Sequence, residues 1–370
     1  MDVMLGYSKD GLFMRVYYPT EETVSIETNH ASWIPIIPDA DYIKGLSTVT
    51  MLPSFFLNLA WNYSGHTRIP AVYGAKARVT DKLNCIIFSH GLGALRSFYS
   101  SICVELASRG YLVAVLEHRD QSSCHTYYFE SEAAAKANQK TSIEFKHKKL
   151  GNGHFELRKE QVHYRMGEVC KALDFFLALN GGEVPHNVIT DVPTRREIKF
   201  ELSDLVGKID VESLSVGGHS FGGATALLAL SRREEFKQGI LLDPWMYPIK
   251  EEHLDSKVTK PLIFVNTYTF HIVNNVKAME PYLTGEKTRR MFTILNSTHE
   301  SQTDSVFLVG YWLNWFMKKI DPQVATNINN YLILRFLKGQ TKNKENIDDC
   351  VIYLRDNDRH FSEGLTKPWA

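Results

Sequence analysis

The sequence predicts an α/β protein, one domain built on a mainly parallel sheet wrapped by helices. Short apolar runs alternate along the chain with longer segments of helical spacing, the pattern of strand–helix–strand units. A serine also stands among glycines in LSVGGHSFGGATALLAL, Leu214–Leu230, where a strand-like run gives way to a helix-like one. A hydrophobic fraction of 44% and an aromatic fraction of 12% over 370 residues are enough for a sizeable core.

In chain order, Phe13–Tyr18 reads as the first strand, followed by Cys85–Ser89, a helix over Tyr99–Arg109, and a strand over Tyr111–Glu117. Residues near 121–160 are charged and glycine-punctuated and read as a surface insertion. Beyond it, Val162, Met166, Val169, Leu173 and Phe176 recur at three- or four-residue steps, which predicts a core-facing helix. Strands follow at Leu214–Gly218, Gln238–Leu242, Pro261–Asn266 and Met291–Leu295, with helices over Gly222–Arg233 and Val276–Leu283. The chain after about residue 340 reads as a tail, and no repeat or proline-rich linker divides 1–370 into two domains.

Lys plus Arg equals Asp plus Glu, 42 against 42, so no overall field favours nucleic acid or acidic lipid. The five cysteines are irregularly spaced, without a CxxC pair, and read as free thiols of a reducing, cytoplasmic compartment. The start, MDVMLGYSKDGLFMRVYYP, lacks a secretory pattern, and Asp2 rather than glycine follows the first residue, which excludes N-myristoylation of the chain as written. No metal-ligand motif appears, and no cofactor or metal is expected. Two apolar segments, 47–61 and 306–317, fall short of the about 20 residues that span a bilayer. Their tryptophans suit either a lipid interface or burial.

Gly218-His219-Ser220-Phe221-Gly222 fits G-x-S-x-G, in which the serine occupies a strained strand-to-helix turn and glycines admit close backbone approach. A serine hydroxyl needs a base to take its proton and a third group to orient that base. The order Ser, then Asp or Glu, then His directs the search downstream. Asp243 ends the next strand in QGILLDPWMYP, whereas the segment after PLIFVNT offers no carboxylate before Glu280. His299 follows the last strand in MFTILNSTHESQTD. Two amides must meet the developing alkoxide. The Phe221 amide follows the nucleophile, and the Leu92 amide lies in the HGLG loop, His90–Gly93, after a buried strand. The segment Glu117–Asp120, EHRD, reads as a structural ion-pair network.

FSHGLGALRSFYSSICVELASRGYLVAVLEHRD, GHSFGGATALLAL, LLDPWMYP and STHESQTD together resemble the platelet-activating factor acetylhydrolases, the monomeric family with intracellular and plasma members. The likeness runs in the same order from Trp33 to near Gly339. It implies the α/β-hydrolase fold and a serine-dependent, calcium-independent phospholipase A2-type activity on acetyl, short or oxidised sn-2 acyl groups. It implies Ser220 as nucleophile, Asp243 as acid, His299 as base and Leu92 and Phe221 as oxyanion donors. It also implies a phospholipid substrate and peripheral membrane contact through hydrophobic helices. Pro244 stands where the family has alanine, and Gln121 where it has arginine. Two other readings stay open at this point, a broad carboxylesterase or lipase and a silent hydrolase-fold lipid-binding protein.

Overall fold

The computed structural model describes residues 1–63, 67–189, 198–283, 288–309 and 319–364. The strands are β1 (Asp2–Leu5), β2 (Leu12–Tyr17), β3 (Leu83–Ser89), β4 (Tyr111–Leu116), β5 (His125–Tyr128), β6 (Thr141–Glu144), β7 (Ile209–His219), β8 (Phe236–Leu242), β9 (Leu262–Thr267), β10 (Arg289–Ile294) and β11 (Phe361–Glu363). Nine form one sheet in the order β1-β2-β4-β3-β7-β8-β9-β10-β11, while β5 and β6 pair apart from it. Neighbours from β4 to β10 run parallel; β1, β2 and β11 join antiparallel at the edges. The α/β class expected from the sequence is the one the chain adopts.

The apolar runs are long because both faces of the sheet are covered. Along β3, Cys85 and Ile87 join one core with Val169, Leu173 and Phe176 of the helix His154–Asn180 and with Leu227 of the helix Phe221–Arg232. Ile86 and Phe88 point the other way, into a second core with Ile102 of the helix Ser100–Ser108 and Leu332 of the helix Pro322–Gln340. The period of two thus divides one strand between two cores.

The parallel register aligns the strand ends that carry the site. Ser89 pairs with Gly218, His219 with Leu242 and Leu242 with Val265, so the residues that follow β3, β7, β8 and β9 leave from one edge.

The 121–160 region holds β5, the short helix Glu132–Lys136 and β6, and its beginning, residues 122–127, is buried rather than superficial. Beyond residue 340 the chain forms the helix Asp348–Asp356 and then β11, which pairs with β10. The helices Ala40–Thr50 and Ser54–Tyr63 carry the first apolar segment. In the second, residues up to Val309 belong to the helix Ser305–Val309, and 310–317 lie outside the described residues.

The β1–β2 edge is fastened by buried charge. Arg15 Nε and Nη2 donate to the Asp2 carboxylate at 2.6 and 2.8 Å, and Arg96 Nη2 donates to the same group at 2.9 Å. Arg96 Nη1 reaches Glu117 Oε2 at 2.6 Å, and the Tyr42 hydroxyl donates to Glu117 Oε1 at 2.5 Å. Although burial alone would raise it, the two guanidinium groups hold the Asp2 carboxyl far below its ordinary pKa. Replacing Arg96 by alanine leaves two buried carboxylates short of a counter-charge and is expected to cost about 3–5 kcal/mol. Urea unfolding of Arg96→Ala measures that loss.

Candidate active site

The elbow is built where β7 ends and the helix Phe221–Arg232 begins. Ser220 takes φ 56° and ψ −117°, a strained backbone that the surroundings must impose. Its N–H donates to Leu242 O at 2.9 Å, and its carbonyl accepts from Trp245 N–H at 2.9 Å. Two glycines are required by contact. A Cβ on Gly222 would lie 2.0 Å from Ser89 O, and one on Gly218 would lie 2.2 Å from Gly222 O. Pro244 lies against Gly223, whose would-be Cβ comes 2.9 Å from the proline Cα, so the departure at 244 falls on an interface that glycine keeps open.

The structure brings Asp243 and His299 together. His299 Nδ1 donates to Asp243 Oδ2 at 2.8 Å. The carboxylate is fully buried and also accepts from the Thr267 amide at 2.7 Å and from the Thr267 hydroxyl. Asp243 itself has φ 42°, a second strained residue at the same strand edge. The His299 ring stacks on Phe270 at 4.1 Å and lies 4.3 Å from the ring of His219, the residue before Ser220. Among the described residues the Ser220 hydroxyl makes no hydrogen bond; such contacts are often long in unliganded enzymes.

Leu92 is in the loop that faces the elbow, where a Cβ on Gly91 would lie 3.4 Å from Ser220 Cβ. The neighbours are engaged: Gly91 N–H donates to the Tyr99 hydroxyl at 2.8 Å and Gly93 N–H to Ser122 O at 2.7 Å. The Leu92 and Phe221 amides are left without a backbone acceptor among the described residues.

Several residues around the site were not singled out in the sequence. His219 Nδ1 accepts from the Tyr99 hydroxyl at 3.0 Å, and burial, reinforced by the nearby His299, pushes its pKa well down, which keeps it neutral. The EHRD segment, read as ion-paired, is anchored beneath the loop. His118 Nδ1 lies 2.6 Å from Glu168 Oε2 and its Nε2 lies 2.7 Å from Ser89 Oγ. Arg165 Nη1 donates to His90 O at 2.6 Å, and its Nε reaches Ser122 Oγ at 2.8 Å and Asp120 Oδ2 at 3.2 Å. Its guanidinium carbon lies 4.4 Å from the Phe221 ring centroid, so one buried cation touches the loops of both candidate donors. Arg165 and Glu168 stand three residues apart on the helix His154–Asn180, a spacing that in the sequence reads as an exposed helix pair.

Among the described residues, His219, Asp243 and His299 are the one His/Asp grouping compact enough for a metal. In that grouping Thr267 and His299 Nδ1 already bind the Asp243 carboxylate, and the Tyr99 hydroxyl bonds His219 Nδ1.

A mainly parallel sheet with this strand order, a serine elbow after β7 and an Asp–His pair from the loops after β8 and β10 define an α/β-hydrolase. A ferulic acid esterase from Streptomyces cinnamoneus superposes with a TM-score of 0.58 over 94% of this chain and 90% of its own, at 15% identity, which supports the fold. The family model described as platelet-activating factor acetylhydrolase, isoform II, matches residues 1–358, and the chain belongs to that family. The platelet-activating factor acetylhydrolase of Cavia porcellus is 35% identical over 99% of this chain and 81% of its own length. That of Gallus gallus is 35% identical over 94% and 82%.

Burial lifts the Glu168 carboxyl from its ordinary pKa near 4.5 up to about 7. Between those values the folded protein binds more protons than the unfolded chain, so this group's contribution to stability is complete below about pH 4.5 and is lost as the pH rises through about 7. In Glu168→Gln the fall in unfolding free energy across that window should flatten relative to the parent, as followed by urea titrations at several pH values.

Proposed function

We propose that this protein is a calcium-independent serine esterase that removes acetyl and other short or oxidised acyl groups from the sn-2 position of platelet-activating factor-like phospholipids. The observation that carries this reading is the 2.8 Å His299–Asp243 hydrogen bond beside the Ser220 elbow, in a chain that belongs to the acetylhydrolase family. Ser220 Oγ attacks the ester carbonyl while His299 Nε2 takes its proton, and Asp243 holds the imidazole and balances its charge. The Leu92 and Phe221 amides receive the alkoxide. When the tetrahedral intermediate collapses, His299 returns the proton to the departing glycerol oxygen. Water then repeats the sequence and releases the acid and free Ser220. No step requires an ion.

Contact with a lipid surface is assigned to the first apolar segment. Met51, Leu52, Phe55, Phe56 and Leu59 are all exposed, and among the described residues no helix is long and apolar enough to cross a membrane. This tip adjoins the site, because Val49 packs on Gly93 so closely that a Cβ there would come 2.6 Å from Val49 Cγ1. The five cysteines are free, four of them buried, which suits the reducing cytoplasmic setting proposed here.

Ser220→Ala should lose about 10⁴–10⁶ in turnover. With calcium chelated, the parent enzyme should hydrolyse acetyl phosphatidylcholines faster than long-chain ones; equal or faster long-chain turnover would move the function to a general lipase. The double variant Phe55→Ala/Phe56→Ala should bind lipid vesicles about tenfold or more weakly in a sedimentation assay, because two rings lose their apolar burial.

A further inference from the structure

One face of the helix His154–Asn180 carries His154, Arg158, Gln161, Arg165 and Glu168 at alternating steps of four and three, and all five are buried. Arg165 is paired with the Asp120 carboxylate, Glu168 bonds the His118 ring, and Gln161 Nε2 donates to Asp120 O at 2.8 Å. The two nearest the helix start differ. Arg158 is only 2% exposed, yet its Nη1 donates to the neutral Gln161 Oε1 at 2.6 Å and its Nε has no partner. His154 is 5% exposed, and its Nδ1 also lacks one.

No carboxylate forms an ion pair with Arg158 among the described residues. Asp120 acts on it at a distance, but that carboxylate is already bound by Arg165 Nε at 3.2 Å and by the Ser122 hydroxyl. Burial, together with the like charge of Arg165, depresses the Arg158 pKa. A guanidinium this well covered ordinarily meets a carboxylate or phosphate, because leaving a buried charge unpaired is costly.

The position relative to the reacting serine is what gives this group a use. The His154 ring lies 6.1 Å from Trp245 and 6.0 Å from Tyr247, and the Trp245 ring lies 5.7 Å from that of Phe221. Trp245 also donates its amide to Ser220 O. At the rim, Lys250 Nζ sits 4.2 Å from the Phe155 centroid and 4.9 Å from that of Tyr247.

We propose that Arg158, assisted by His154, forms a subsite for an anionic oxygen of the substrate, one aromatic layer from the Ser220 ester site. Two parts of a phospholipid offer that chemistry, the headgroup phosphate and a carboxylate at the end of an oxidised acyl chain. The proposal rests on the esterase reading above and adds a determinant of specificity to it.

The test compares four acetyl-length or short-chain esters: an acetyl phosphatidylcholine, the corresponding neutral acetyl diglyceride, a phospholipid whose short sn-2 chain ends in a carboxylate, and the phosphate-free ester of that acid. For Arg158→Met, the ratio of kcat/KM on charged to neutral substrate should fall about ten- to a hundredfold, mainly through KM, as expected for a lost charge-assisted hydrogen bond. Arg158→Lys should recover part of the ratio. Loss on the phosphate-bearing esters identifies the headgroup; loss confined to the carboxylate-bearing esters identifies the acyl terminus. An unchanged ratio, or an equal fall on the neutral diglyceride, overturns the subsite. Failure of the esterase reading is seen separately, as absent hydrolysis by the parent enzyme. A non-hydrolysable ether phospholipid whose sn-2 chain ends in a carboxylate carries both anions and gives an independent readout, raising the Tm of the parent more than that of Arg158→Met.

Discussion

The contact between Gly222 and the carbonyl of Ser89 is the constraint on which the site depends. With no side chain at 222, the start of the Phe221–Arg232 helix comes against the end of β3, and the loop carrying Leu92 is brought to the loop carrying Ser220. Any Cβ there would separate the two loops, and with them the Leu92 and Phe221 amides they carry. The positive φ at Ser220 and the packing of Pro244 on Gly223 follow from the same close approach.

Beneath this contact lies a layer of buried charged and polar groups. Arg165 joins the His90 carbonyl, the Ser122 hydroxyl and the Phe221 ring, and Glu168 with His118 supports Ser89 from below. Such groups gain little overall stability after desolvation, but each admits few arrangements of its partners. They make the geometry above them specific rather than merely compact. The helix that supplies them therefore does two tasks, closing one core with Val169, Leu173 and Phe176 and bracing the loops on its polar side.

Much of this was legible because it is encoded locally. Apolar runs buried on both faces gave β3, β4, β8, β9 and β10 within a few residues, and chain order singled out Asp243 and His299, which meet across 56 positions of sequence. β7 begins at Ile209, five residues before the apolar run that marked it, because Asp210 and Glu212 disguise its first half. β1 escaped notice because its stability depends on Arg15 and Arg96, partners 13 and 94 positions away. β11 is three residues long and has no apolar pattern of its own; β10 supplies its ladder. The buried polar face of the helix His154–Asn180 reads as an ordinary solvated face until the loops packed on it are known.

The pairing of β11 with β10 also sets an order of events in synthesis. β10 leads directly into the loop of His299, and the Leu295 amide at the start of that loop donates to the carbonyl of His360, while Gly364 N–H closes on Met291. A nascent chain that has already formed its elbow at Ser220 still lacks the segment that ties down the base. The loop that carries the base is therefore held by a segment about sixty residues further along the chain, and a break between the two would loosen His299 while leaving the elbow intact.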